Sequence, residues 1–223
     1  MHLQKRFLTP LPIMLLSVVL AASCTQAKTL HSPESPMPSQ IVATDPPANN
    51  SSTQAQDNPV LVAEFDYAPA SRIIEVRYRL RNTSQSSALA VFDRGDLHAI
   101  DIGRQKFGEV GVPKMIENGE DIELVHAVAP LPSPSPTAPP TPIAIQVEPG
   151  AELTGHFRFA LKGITIPKRL RWCLGVMPFD AAFMDSPTAS ADGQIWRASF
   201  AVVDHQRMMC TPWYDVATAA FEP

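Results

Sequence analysis

Ile74, Val76, Tyr78 and Leu80 alternate with Glu75, Arg77, Arg79 and Arg81. This period of two restricts the segment to a strand with one face buried and the other in water. A helix would scatter the same apolar residues around its circumference. The pattern returns twice more. Leu153, Gly155, Phe157, Phe159 and Leu161 alternate with Thr154, His156 and Arg158, and Leu170, Trp172, Leu174 and Val176 follow Arg169 and flank Arg171. Trp196, Ala198, Phe200 and Val202 are expected to form another inward face, on a strand ending near Val203. Asn82-Thr83-Ser84 begins a polar turn, after which Ala88 to Phe92 is expected to return beside the first strand. Pro149-Gly150 suits the centre of a type II turn, and Asn118-Gly119 suits a two-residue hairpin loop. That hairpin would set Glu117 opposite Glu120, a like-charge pair.

The chain's 23 prolines mark where strands cannot be. Seven of them fall in residues 129–142, which is expected as a stiff, solvated loop between a strand ending near Val128 and one starting at Ile143. Such a stretch is also a possible ligand for aromatic grooves. Residues 24–59 are rich in Ser, Pro, Gln, Asn and Thr with isolated apolar residues, a composition that buries too little to offset ordering and predicts a disordered tether. The domain is therefore placed at 60–223.

Many short alternating segments with regular turns, and no sustained helical period before the C-terminus, predict an all-β domain with two packed antiparallel sheets. The pattern resembles an immunoglobulin-like sandwich in architecture, over about 160 residues, without a specific motif.

The N-terminus has a separate logic. Lys5 and Arg6 precede a mostly apolar run, Phe7 to Ala22, that contains Pro10 and Pro12. The run is short for a membrane span and follows the pattern of an export signal over residues 1–23. It ends in Leu20-Ala21-Ala22-Ser23-Cys24, which resembles the bacterial lipobox, with Ala21 where leucine is usual. The resemblance implies cleavage before Cys24, a diacylglycerol thioether on its sulfur, and acylation of the new amino terminus. Thr25, rather than aspartate, follows the cysteine, and by the same resemblance the anchor belongs in the outer membrane, facing the periplasm. Several acyl chains suffice for stable anchoring.

In an exported chain Cys173 and Cys210 form an even pair, and a disulfide is expected. The alternation sets Cys173 on the face opposite Trp172 and Leu174, where it is expected to be no core thiol and to meet a segment lying across the sheet. Without Lys5 and Arg6, 16 of the 18 basic residues remain against 22 acidic ones, a formal charge of −6 with no basic block. Nucleic acid is excluded as a partner on that ground.

No hydrolase, zincin, P-loop or dinucleotide motif is present, and the chain is expected to be non-enzymatic and without cofactor. Two clusters remain as candidate sites. Asp93-Arg94-Gly95-Asp96, with His98 and Asp101, is the densest polar group; on a strand Asp96 and His98 would share a face as oxygen and nitrogen ligands, although a solvated polar turn is the simpler expectation. Its Arg-Gly-Asp tripeptide carries little information. His205, Met208, Met209 and Cys210, with Met177 and Met184 upstream, offer soft donors of the kind copper(I) prefers, unless Cys210 is oxidised and the methionines pack. The sequence thus predicts an envelope lipoprotein that binds another envelope protein or a surface ligand. The alternative is a periplasmic carrier of copper or another metal.

Overall fold

A computed structural model describes residues 58–223. The expected signal segment, Cys24 and nearly all of the 24–59 segment lie outside the described residues. In chain order the described strands are β1 (Val60–Ala68), β2 (Ile73–Arg81), β3 (Leu89–Val91), β4 (Lys114–Asn118), β5 (Asp121–His126), β6 (Ile143–Val147), β7 (Glu152–Ala160), β8 (Arg169–Pro178), β9 (Met184–Ser190), β10 (Gly193–Ala198), β11 (Arg207–Cys210), β12 (Tyr214–Asp215) and β13 (Ala220–Phe221). The class is all-β, as the alternation requires.

Two sheets pack face to face. One has three strands in the order β1-β2-β7, all antiparallel. The other is built round β8 and branches. Its N-terminal half lies between β12 and β5, with β4 beyond β5. Its C-terminal half lies between β11 and β3, and from β3 the sheet continues through β6, β10 and β9. Ile74, Val76, Leu80, Leu153, Phe157 and Phe159 of the small sheet meet Ile122, Leu124, Leu170, Trp172, Leu174 and Ile145 of the large one, and all are buried. A second cluster on the outer side of the large sheet holds Ala90, Phe92, Ala144, Met177, Met184, Ala198 and Val202. It covers Met177 on the second face of β8, where Gly175 lies against Ala127 and Gln206 and Cys173 is bonded to Cys210, so β8 is buried on both faces from Cys173 to Met177.

Several expectations are corrected here. Residues 88–92 do not return beside β2. That strand is already flanked by β1 and β7, so β3 crosses to the other sheet. The sheets are not wholly antiparallel, because β5 runs parallel to β8. The register of that pair sets Asp121 beside Arg169 and Glu123 beside Arg171, so opposite charges meet directly while Trp213 stacks on both guanidinium groups. The 118–119 hairpin is shifted by one residue. Asn118 faces Asp121, the loop is Gly119-Glu120, and Glu117 faces Ile122, which removes the like-charge pair. Gly119 has φ +64° at the first loop position, where a type II′ turn requires glycine. Ile195, rather than Trp196, reaches the main core, and Phe200–Asp204 is a 3-10 turn rather than a continued strand.

Cys173 and Cys210 are joined, as expected. The geometry of the bridge differs. Cys210 lies directly opposite Cys173 on the adjacent β11, beside it within one sheet and not across it, and Cys173 is buried at 1% exposure. The proline-rich 129–142 segment connects β5 to β6 and is exposed over residues 129–138.

Candidate functional site

The site begins with a glycine on β7. Gly155 pairs with Tyr78 of β2, and a Cβ there would overlap the Tyr78 phenol. The bare backbone lets that ring lie across β7, tilted against Trp172 at 4.5 Å between centroids. The Tyr78 hydroxyl then donates to Asp93 Oδ2. Arg94 Nη1 donates to the same oxygen at 2.9 Å, and Arg94 Nη2 donates to Asp192 Oδ2 at 3.2 Å. Asp93 and Arg94 are both 0% exposed, while the Asp192 carboxylate, on the β9–β10 turn, is open to solvent.

A second line of hydrogen bonds extends the first into the core. Gly111 N donates to Asp93 O at 2.8 Å, and Gly111 O meets His126 Nε2 at 2.9 Å. Trp172 Nε1 donates to His126 Nδ1 at 2.9 Å. An indole N–H can only donate, so Nδ1 must accept and the proton sits on Nε2. Gln105 Nε2 bonds the carbonyl oxygens of Arg94 and Glu109, which fixes the 102–112 loop over the same place.

Burial, with the neighbouring Asp93 charge second, raises the Tyr78 phenol far above its ordinary value. Burial also raises Asp93, although Arg94 and the Tyr78 hydroxyl pull the other way. Burial pushes His126 down to about 4, only partly offset by its bond to Gly111. Tyr78 thus stays a hydrogen-bond donor and His126 stays neutral. Removing one partner of a buried ion pair costs far more than a surface pair does, and this is how the network fixes its segments.

Above it lies an open groove of about 1360 Å³. Its base is the outer face of the small sheet, with Arg77, Arg79 and His156, and its walls are Phe107–Val110 and Ser190–Asp192. Tyr78 and Asp192 belong both to the groove lining and to the buried network. The groove mixes cationic, anionic and apolar groups, an arrangement suited to holding a ligand by several weak contacts.

The sequence candidates fare unevenly. Asp93 and Arg94 are not a solvated turn; they are the buried centre of the network. Asp96 and His98 do not share a strand face, because Asp96 caps a short helix, Leu97–Asp101, by accepting from Ala99 N at 2.9 Å. Arg94 is enclosed, so the Arg-Gly-Asp tripeptide is not displayed. His205 stacks on Phe183, and Met208 and Met209 are consecutive on β11 and point to opposite faces. Cys210 is oxidised, and Met177 and Met184 are buried in the outer cluster. Among the described residues no three His, Cys, Asp or Glu side chains come together as a metal site.

Sequence reasoning missed Tyr78, His126 and Asp192. Tyr78 and His126 lie on strands where they count as ordinary inward residues, and Asp192 lies in a turn. Gly155 was the one available signal, a glycine among large inward residues. No protein-family model, no curated protein and no solved structure matches the chain.

Proposed function

We propose that this chain is a lipid-anchored protein of the bacterial envelope whose β-domain is a non-enzymatic binding module for an envelope protein or a surface ligand. The observation that carries the binding half is the groove of about 1360 Å³, two of whose lining residues, Tyr78 and Asp192, are held by the buried Asp93 and Arg94. Lining residues fixed in advance lower the entropy lost on binding. In this reading the packed sheets serve as an immunoglobulin-like sandwich does, as a frame presenting loops and strand edges to a partner. The anchoring half rests on Leu20-Ala21-Ala22-Ser23-Cys24 and on the basic-then-apolar segment before it, with Thr25 favouring the outer membrane.

The two halves are tested separately. Cys24→Ser should abolish incorporation of a tagged fatty acid in expressing cells; retained label overturns the anchor. A photo-crosslinking residue at Arg77 or His156 should give a discrete adduct in native membranes, absent when the same residue replaces exposed Gln85. Equal adducts at all three positions, or none, overturn the groove as the binding site.

A further inference from the structure

The loop from β7 to β8 displays two apolar side chains to solvent, Ile164 at 96% and Ile166 at 77% exposure. The loop is not frayed. Leu161 N donates to Arg72 O at 2.9 Å and Arg72 Nη2 to Lys162 O at 3.3 Å. At the other end Lys168 N donates to Glu120 O at 2.8 Å, Val216 N donates to Lys168 O at 3.0 Å, and Pro167 is buried. Between these fixed ends the isoleucines project, bracketed by exposed Lys162 and Lys168.

We infer that this loop is a membrane-contact tip, with Ile164 and Ile166 entering the interfacial layer of a bilayer and Lys162 and Lys168 meeting anionic headgroups. Two isoleucines offer on the order of 200 Å² of apolar surface, well short of the roughly 800 Å² per partner of a specific protein interface. Interfacial insertion needs no such area, because a few apolar side chains with adjoining cations suffice. Charges of both signs sit at this end of the domain: Asp121 and Glu222 pair with Arg169, Asp215 lies near Lys168, and Glu117 and Glu120 stand close by, while Lys162 and Lys168 are the cations that flank the two isoleucines. Lysine stems also let the ammonium groups reach the headgroups while the isoleucines go deeper.

The chain enters the domain at the opposite end, where Asn58 O accepts from Thr83 Oγ1 and Val60 pairs with Arg81. The nine residues of β2 separate the two ends by roughly 30 Å. The 34 residues from Cys24 to Asn58 can span at most about 110 Å, so an anchored domain can bring its far tip to the same bilayer. The tip contact does not itself require lipidation of Cys24.

The test uses the full chain on vesicles, with an environment-sensitive dye at Ile164→Cys and, as control, at Gln85→Cys, which is exposed near the entry end. Quenching by brominated lipid should be roughly tenfold stronger at 164 than at 85 on vesicles containing anionic lipid. Lys162→Gln with Lys168→Gln should weaken the insertion equilibrium of the tip roughly 25-fold. Ile164→Asp with Ile166→Asp, labelled at Ser71→Cys in the neighbouring turn, should abolish quenching while leaving the melting temperature unchanged. Equal quenching at 164 and 85 overturns the inference, as does insertion indifferent to anionic lipid. So does a dye at 164 that stays aqueous while a crosslinker there captures protein. The fatty-acid label on Cys24 is read independently, so a failed tip and a failed anchor are distinct results.

Discussion

Lowering the pH from about 7 to 4 should remove about 3 kcal/mol of stability through His126 alone. The ring is 3% exposed, with Phe157 edge-on at 4.8 Å between centroids. Its Nδ1 faces the Trp172 N–H, so a proton added there would set donor against donor. Burial, the largest cause, holds the folded-state value at about 4 against an ordinary 6.5, and the Arg94 charge adds to the depression. Between those values the unfolded chain binds a proton that the folded chain refuses. Stability is therefore fully present above pH 6.5 and falls as pH falls toward 4. At about 1.36 kcal/mol per pH unit, the interval gives about 3 kcal/mol. Asp93 works in the opposite sense, since burial raises its carboxyl and the folded form keeps that proton longer. Asp121 and Asp215 are lowered by bonds to Arg169 and Thr218, and they act below about 3.8, outside the window. The assay is urea unfolding across the range for wild type and His126→Gln. Asp93 is common to both proteins, so the difference in slope isolates His126. Parallel slopes, or a His126 carbon resonance titrating near 6.5, would refute the reasoning.

The remaining predictions concern what the two covalent and ionic locks contribute. Replacing Cys173 and Cys210 with alanine opens a closure of 37 residues, worth about 4 kcal/mol in the chain-entropy model. Against a typical stability of about 5–15 kcal/mol, the denaturant midpoint should fall markedly. Hydrogen exchange should rise first in β11 to β13, and an unchanged midpoint contradicts a structural role. Arg94→Met should cost about 3–5 kcal/mol, because it leaves the Asp93 carboxyl buried without its cation. Adding Asp93→Asn should recover much of that loss; equal costs for the single and double variants would show that the two residues are not coupled.

The alternation of residues 74–80, 153–161 and 170–176 was enough to determine an all-β chain and to name most of its inner faces, because side-chain direction in a strand is local. The disulfide was also legible, since two cysteines remain once Cys24 is set aside. Pairing between strands was not legible, because it depends on contacts far apart in the chain. Residues 88–92 looked like the return of a hairpin, yet β2 already had two neighbours. Nothing local to β5 distinguishes a parallel partner from an antiparallel one; the match of Asp121 and Glu123 with Arg169 and Arg171 exists only once the strands are adjacent. The same holds for the candidate site. Asp93-Arg94-Gly95-Asp96 reads as a surface turn until folding places Tyr78, Asp192 and Gln105 around it. Burial of an aspartate and an arginine is tolerable only with partners supplied from other strands and loops, and that supply is a property of the tertiary structure.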